Sequence, residues 1–189
     1  MIGEDFPAVL AAAQQGDEAA FAALWHDGQP ALLRYLHVLA PDAAEDIAAE
    51  TWTHVVRGLA RFRGTEQNWR AWLFTTARRR VIDQARQQIR RPATSLEALP
   101  ETAVAELAEL RSPDAADLAL DNLATLKAIA VIASLPPMQA EVVMLRVVAG
   151  LDNETVAQLL GRTPGAIRVA AHRGLQRLAS LLAETGVTL

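Results

Sequence analysis

Apolar residues recur at every third or fourth position along most of the chain, and no stretch alternates between apolar and polar residues for long. This spacing is typical of one face of an α-helix. Abundant alanine and leucine, with few β-branched runs, favour helices further. We therefore predict an all-α protein whose second helix is bent or broken at Pro30. The predicted helices cover 5–15, 17–39, 42–61, 67–90, 115–133, 137–149, 152–160 and 164–183.

Three of the predicted helices begin with a capping signal. Asp17 is a candidate N-cap. Asp42 and Glu45 have the spacing of a capping box, with aspartate in the role of serine or threonine. Thr163 precedes Pro164, which places a cap before a proline at the first helical position.

The helical pattern is interrupted between residues 92 and 114, where prolines and glutamates accumulate. Such composition is typical of a linker. The segments on either side are each long enough for a small helical core. We predict two small helical domains, the N-terminal unit (1–91) and the C-terminal unit (115–189), joined by a flexible acidic linker (92–114).

The net charge of −4 conceals four blocks of alternating sign. Residues 1–56 hold nine acids and one arginine, whereas residues 57–91 hold ten arginines and two acids. Residues 92–126 hold seven acids and one arginine, and residues 127–189 hold six bases and four acids. The positive charges of the second block would repel one another without a polyanionic partner, so this block predicts binding to nucleic acid.

The C-terminal unit contains two predicted helices separated by the short turn Gly161 to Thr163. Gly161 stands where a helix end favours a residue of positive φ. Two helices joined by such a turn form a helix-turn-helix, whose second helix enters the major groove. The inward stripe of that helix is predicted at Ile167, Ala171, Leu175, Leu178 and Leu182. Its opposite face holds Gly165, Arg168, Val169, His172, Arg173 and Gln176. A helix bundle with a solvated polar face is the alternative interpretation.

Residues 57–91 place aromatic rings beside arginines around a glycine loop, a combination suited to single-stranded nucleic acid. In the helix that follows, Arg79, Arg86 and Arg90 share one side. The alternative is that Trp69 and Trp72 are core residues and the arginines are solvated; we expect both tryptophans to be at least half buried.

The predicted helix 42–61 is acidic on one side, where Asp46 and Glu50 lie one turn apart. Its inward face is predicted at Ile47, Val55, Val56 and Leu59. A metal or acid-base site lacks its expected histidine or third carboxylate nearby. A protein-binding face and a merely solvated one remain open.

Other classes of protein are disfavoured by what the sequence lacks. There is no cysteine, and we see no phosphate loop, nucleophile motif or metal-ligand spacing, so we expect neither an enzyme nor a cofactor or metal. No apolar run is long enough to span a membrane and the acidic N-terminus does not resemble a secretory signal. We therefore expect a cytoplasmic protein without membrane insertion.

Three blocks in order, Ala44 to Trp52, Phe62 to Asp83 and Leu135 to Arg173, resemble the bacterial sigma factors of the extracytoplasmic-function group. The resemblance implies binding to core RNA polymerase, at the clamp helices of its largest subunit and its flap region. It also implies recognition of promoter DNA, as duplex at the −35 element and as a single strand at the −10 element. An anti-sigma factor is a further expected partner.

The resemblance also assigns site residues. The implied polymerase-binding residues are Asp46, Ile47, Glu50 and Trp52. The implied −10 contacts are Arg63, Gly64, Thr65, Glu66, Gln67, Asn68, Trp69, Arg78, Arg79 and Arg86. The implied −35 contacts are Thr163, Gly165, Ala166, Arg168, Val169, His172 and Arg173.

Two functional hypotheses remain open at this point. The first is a promoter-specificity subunit of RNA polymerase that binds the core enzyme, reads −35 duplex and melts the −10 element. The second is a helix-turn-helix transcriptional regulator whose N-terminal unit is a partner or sensor domain. A separate hypothesis is that the acidic linker folds back on the arginine-rich block in the free protein and weakens DNA binding.

Overall fold

The computed structural model describes residues 1–90 and 125–184, which are helical and contain no strand. This confirms the predicted all-α class. The linker 92–114 and the first part of the predicted helix 115–133 lie outside the described residues. A π-helical segment, Met144–Val148, directly follows the α-helix Pro137–Val143. The helices are α1 (Phe6–Gln14), α2 (Glu18–Leu39), α3 (Ala44–Leu59), α4 (Glu66–Arg90), α5 (125–133), α6 (Pro137–Val143), α7 (Asn153–Leu160) and α8 (Pro164–Glu184).

Two of the three predicted caps are confirmed. The Asp17 carboxylate accepts a hydrogen bond from the Ala20 amide at 2.8 Å, and the Thr163 hydroxyl accepts one from the Ala166 amide at 3.2 Å. The predicted Asp42 capping box is wrong. Pro41–Ala43 forms a 3-10 turn, so α3 begins after Ala43, which has no side-chain cap.

The predicted break of α2 at Pro30 does not occur. The helix runs without interruption from Glu18 to Leu39, with Pro30 exposed inside it. Proline removes one backbone hydrogen bond and costs helix stability. Leu24, Leu32 and Leu36, which lie on both sides of the proline, are fully buried. Their burial offsets that cost and holds both halves of α2 in the core.

An aromatic cluster forms the centre of the N-terminal unit. Trp69 is 1% exposed, and its ring centroid lies 5.5 Å from that of Phe62, 5.6 Å from Trp72, and 6.5 Å from both Phe6 and Trp52. Tilted and edge-on aromatic pairs at these distances add stability beyond the area they bury. The cluster therefore holds α1, α3, α4 and the loop before α4 together.

Two glycines inside helices make room for this cluster. A Cβ atom at Gly58 would lie 2.7 Å from Cζ2 of Trp72, and one at Gly28 would lie 3.3 Å from Cζ2 of Trp52. A glycine inside a helix costs helix stability relative to alanine. Here the missing side chain allows an indole ring to lie directly on a neighbouring helix backbone.

In the C-terminal unit, α8 packs on α6 through a glycine. Gly174 is buried, and a Cβ atom there would lie 2.8 Å from Cγ2 of Val143. The prediction that Leu175 belongs to the inward stripe is wrong, because its side chain is 47% exposed. The close approach at Gly174 turns the adjacent Leu175 outward. The stripe follows Ile167, Ala171, Gly174 and Leu178 instead.

The two units dock on each other in the structure. Most of their buried apolar residues form one continuous cluster, which includes Tyr35 and Phe74 from the N-terminal unit and Leu145 and Leu151 from the C-terminal unit. Helices α2 and α4 contact α6, its π-helical extension and α7. The face of α4 directed toward the C-terminal unit is therefore covered in this arrangement.

We expect Gly58→Ala to destabilise the protein, although alanine is the better helix former. The added Cβ would meet a rigid indole at 2.7 Å, and overpacking of this kind costs about 1–3 kcal/mol. The matched control is Gly165→Ala, at a helical position with no atom within 4 Å of the added Cβ. Urea unfolding should show destabilisation for the first variant and equal or greater stability for the second. Equal effects would contradict the packing role of Gly58.

Candidate nucleic-acid and protein interfaces

The turn between α7 and α8 has the geometry of a helix-turn-helix. Gly161 adopts φ +64°, which ends α7 in the left-handed conformation predicted for it. The Arg162 amide then donates to the Ala157 carbonyl at 2.9 Å, and the Gly161 amide to the Gln158 carbonyl at 3.4 Å. These two bonds form a Schellman motif. With the Thr163 cap, they fix the point at which α8 begins.

All the residues of α8 and its cap that were implied in −35 contacts are exposed: Thr163, Gly165, Ala166, Arg168, Val169, His172 and Arg173. The buried Ile167 and Gly174 lie on the other side of the helix. The first turns of α8 therefore present two arginines and a histidine beside small residues. Arginine side chains can donate to guanine or to phosphate, and small residues allow close approach of the helix backbone.

The arginines of α4 do not share one environment. Arg79 and Arg86 are exposed, and the nearest acid to Arg86 is Asp83 at 3.8 Å. Arg78 instead donates from Nε to Oε1 of Glu141 in the C-terminal unit at 2.7 Å. Of the three arginines implied in −10 contacts on this helix, two therefore face solvent and one is paired within the protein.

The loop before α4 is closed by its own side chains. Gly64 has φ +155°, a region that favours glycine, and a Cβ there would lie 2.8 Å from the Asn68 Cβ. The Thr65 hydroxyl donates to Oδ1 of Asn68 at 2.8 Å, and the Thr65 amide donates to the same oxygen at 3.0 Å. The Asn68 amide donates back to the Thr65 hydroxyl at 3.3 Å. A threonine three residues before an asparagine is the sequence signal of this reciprocal capping pair, which we did not predict.

Other residues of this loop also have partners within the protein. The Glu66 carboxylate accepts from the Ile2 and Gly3 amides at 3.0 Å each, and the Gln67 side chain donates to the Gly150 carbonyl at 3.4 Å. Arg63 is exposed and donates to the Ala60 and Phe62 carbonyls. The loop is therefore held in place by contacts within the protein.

The assignment of Trp69 as a direct DNA contact needs correction. Its ring is buried in the aromatic cluster, so the side chain has no face on which a base could stack. Trp69 supports the loop from beneath. From the sequence we expect at least half burial, and in the structure the burial is complete.

The polymerase-binding residues implied on α3 also separate into two groups. Asp46 and Glu50 are exposed, and Glu50 lies 3.6 Å from Arg80 of α4. Ile47 and Trp52 are buried, and the Trp52 indole nitrogen donates to Gln29 at 2.6 Å. In the structure these two residues mainly pack in the core, and Trp52 also lines the pocket described next, so their implied contact with the polymerase stays a prediction.

An apolar surface that the sequence pattern does not predict lies beside these acids. Val56 was predicted to face inward, which is wrong, because it is 52% exposed. Val55 and Val56 point about 100° apart around the helix, and here only Val55 faces the core. Val56 belongs to a shallow pocket between α2 and α3, here called the α2–α3 pocket. It is lined by Phe21, Trp25, Ala49, Trp52, Thr53, Val56 and Arg57.

Comparisons with known proteins identify both units. Residues 24–91 match the family described as Sigma-70 region 2, and residues 125–178 match Sigma-70, region 4. The chain is 32% identical to the ECF RNA polymerase sigma factor SigD of Mycobacterium tuberculosis over 98% of its length and 88% of the relative. The chain belongs to the extracytoplasmic-function sigma factors.

Another sigma factor of this group, ShbA of Streptomyces griseus, is 35% identical over 92% of this chain and 93% of the relative. Two solved structures share the fold. CnrH, in complex with the cytosolic domain of CnrY, has a TM-score of 0.61 at 18% identity, over 96% of this chain and 99% of that one. RpoE, in complex with the anti-sigma factor NepR from Bartonella quintana, has a TM-score of 0.58 at 24% identity, over 86% and 96%.

This sigma factor is thus a promoter-specificity subunit, and its relatives are transcription initiation factors. The alternative of a regulator with an N-terminal sensor domain is not favoured, because its N-terminal unit matches sigma region 2. Among its described helices, none is long and apolar enough to cross a membrane.

Asp152 provides a pH test of the helix-turn-helix. Its carboxylate caps α7 by accepting from the Thr155 amide at 2.7 Å, and this bond lowers the pKa of Asp152. A lowered pKa stabilises the folded state above the ordinary pKa of aspartate, and this contribution is lost as the pH falls through the folded value. Asp152→Ala should therefore cost about 1 kcal/mol at pH 7, and less at pH 3.

The control is Asp152→Asn, whose amide oxygen accepts the same hydrogen bond but does not titrate. Urea unfolding should show that the advantage of asparagine over alanine is the same at pH 7 and pH 3. The advantage of aspartate over alanine should shrink. An equal advantage of aspartate at both pH values would contradict the role of the carboxylate.

Proposed function

We propose that this sigma factor divides promoter recognition among three surfaces. The exposed face of α8 reads the −35 duplex, the exposed arginines of α4 and the preceding loop engage the −10 element, and α3 binds core RNA polymerase. The observation that carries the proposal is the match of both units to sigma regions 2 and 4, combined with the exposure of the charged residues named below for each surface.

The −35 assignment rests on the outward face of α8. Arg168, His172 and Arg173 are exposed on the helix that follows the capped turn. An arginine that donates two hydrogen bonds to guanine discriminates against the wrong base by about 1–3 kcal/mol. This geometry suits a recognition helix placed in the major groove.

The −10 assignment rests on charge and on the rigid loop. Arg63, Arg79 and Arg86 are exposed and can attract the phosphate backbone. The loop from Gly64 to Asn68 is held by its capping pair above the buried Trp69. A preformed loop reduces the conformational entropy lost when an unstacked base is bound.

The polymerase assignment rests on a mixed surface of α3. Asp46 and Glu50 supply negative charge, and the α2–α3 pocket with Val56 supplies apolar area. Interfaces between proteins commonly combine an apolar centre with a polar rim. We propose that the clamp helices of the largest polymerase subunit lie on this surface, and that the C-terminal unit meets the flap region.

Two further parts of the proposal concern a regulatory partner and the cellular compartment of the protein. RpoE forms a complex with an anti-sigma factor, NepR, and we propose that a partner of this class also holds this sigma factor inactive. Its place of action is the cytoplasm, where RNA polymerase is found.

The decisive experiment is co-purification of the full-length tagged chain with the core RNA polymerase of the bacterium that produces it. Transcription in vitro from a promoter library then follows. We expect a stable complex and start sites preceded by shared −35 and −10 elements. A chain that binds duplex DNA but not the core enzyme would overturn the proposal in favour of a regulator.

Removal of an arginine from the recognition face should weaken −35 binding. We expect Arg168→Ala to reduce affinity for the −35 duplex found in the library by about 5- to 100-fold, which corresponds to about 1–3 kcal/mol. Lys127→Ala is the control, because it removes the same charge from an exposed position of α5. Fluorescence anisotropy at fixed salt should separate the two variants; equal losses would contradict direct base recognition.

Placing a charge in the α2–α3 pocket should weaken core binding. We expect Val56→Glu to lower affinity for core RNA polymerase at least about tenfold, because a carboxylate would be desolvated in the interface without a partner. Ala11→Glu adds the same charge at an exposed position of α1. Competition against a labelled wild-type sigma factor measures both, and an unchanged affinity of the Val56 variant would exclude this surface.

A further inference from the structure

A charged contact joins the two units at the middle of α4. Oε1 of Glu141, in α6, accepts a hydrogen bond from Nε of Arg78 at 2.7 Å and another from the Tyr35 hydroxyl at 3.1 Å. The Glu141 side chain is 13% exposed and Tyr35 is fully buried. Glu141 is the only acid in the apolar stretch 137–149, and the hydrogen bonds described for its side chain both come from the N-terminal unit.

This contact occupies Arg78, one of the arginines that the family resemblance implies in −10 contacts. A carboxylate that binds Arg78 through a charged hydrogen bond takes the position of a phosphate oxygen. Next to it, Arg79 lines a cleft whose opposite wall is formed by Thr155 and Gln158 of α7. The Arg78 side chain is only 28% exposed, and its Nε donor is already occupied by Glu141, so docking of the units hinders its contact with promoter phosphate.

Further contacts extend the docking toward the start of α4. The Gln67 side chain donates to the Gly150 carbonyl at 3.4 Å, and Nη1 of Arg70 donates to the Ala149 carbonyl at 3.4 Å. The Nε atom of Arg70 is buried without a hydrogen-bond partner. A buried donor without a partner costs stability. This cost falls on a residue that takes part in the contact between the units.

The dimensions of a promoter conflict with the docked arrangement. The −35 and −10 elements lie about 25 base pairs apart, which is about 85 Å at 3.4 Å per base pair. Arg78 lies against α6 and α7, and α8 begins soon after α7 ends. At 1.5 Å per residue, α7 and α8 placed end to end span only about 45 Å. One docked molecule cannot reach both elements.

We propose that Glu141 is an intramolecular competitor of promoter phosphate, and that its contact with Arg78 and Tyr35 holds the free sigma factor in a closed, DNA-masking state. Opening exposes Arg78 and frees α8 to move away from α4. The desolvation of a partly buried ion pair offsets much of its attraction, so the closed state can be displaced by a stronger polyanionic ligand. The masking of DNA contacts rests on the proposed function, whereas the closed state does not.

The closed state can be measured without DNA or polymerase. The chain has no cysteine, so Ala11→Cys and Ala179→Cys, at exposed positions of α1 and α8, allow fluorescence energy transfer between the units. We expect Glu141→Arg and Arg78→Glu each to lower the transfer efficiency, because each places like charges together. The double charge swap should restore it. Glu154→Arg, an equal charge change at an exposed site of α7, should leave it unchanged.

DNA binding is measured on the same full-length variants without polymerase, with a promoter duplex carrying both elements and an unpaired −10 region. We expect Glu141→Arg to bind at least about fivefold more tightly than Glu154→Arg. The two proteins have the same net charge, so general attraction to DNA cancels between them. The variant that carries both charge changes should be closed and should bind this DNA weakly.

Several outcomes would overturn the proposal. Unchanged energy transfer in Glu141→Arg, or a double swap that stays open, would show that this contact does not hold the units together. Equal DNA affinities of Glu141→Arg and Glu154→Arg would show that the closed state does not hinder DNA binding. If Glu141→Arg fails to fold by circular dichroism, Glu141→Gln removes the charge at constant size and must show partial opening. Failure of the proposed function would appear separately, as a wild-type chain that does not bind core polymerase.

Discussion

The burial of Trp69 is the constraint on which the rest of the N-terminal unit depends. Its ring contacts aromatic rings from α1, α3, the loop and α4, so the first turn of α4 has one position relative to all of them. The glycines at 28 and 58 are needed because indole rings lie on the helix backbones there. Once the position of α4 is fixed in this way, the direction in which each of its other faces points is fixed as well. One side meets the C-terminal unit, and another presents Arg79 and Arg86 to solvent.

The arginines of residues 57–91 therefore interact with two kinds of group, carboxylates within the protein and phosphate. A block with ten arginines would repel itself, and the structure relieves part of this repulsion internally, through Glu141 on Arg78 and through Asp27 on Arg70 at 2.6 Å. The arginines without such partners retain their attraction for phosphate. A net charge of −4 is thus compatible with DNA binding, because exposed arginines such as Arg79 remain available to phosphate.

Local signals in the sequence predicted local structure well. Asp17, Thr163 and Gly161 were each placed correctly, because a cap or a left-handed turn depends on a few adjacent residues. The outward face of α8 followed from the helical period alone. The predictions for Leu175 and Val56 were wrong for a different reason. Which face of a helix is buried depends on the helix packed against it. At Gly174 helix α6 comes close to α8, and the spacing of apolar residues does not reveal this contact. The Glu141 contact joins residues 63 and 106 positions apart, and no pattern in either segment indicates the other.

The close approach at Gly174 has a consequence for how promoter preference can change. This glycine faces α6 and not the DNA-facing side, yet the space that it leaves determines how near and at what tilt α8 lies on its support. The angle at which a recognition helix enters the groove determines which base edges its side chains reach. A methyl group added at this position would lie 2.8 Å from Cγ2 of Val143, so α8 would have to shift, and the side chains that we propose to read bases would move with it. If that proposal holds, promoter preference can drift through a buried residue while the exposed residues of α8 remain the same.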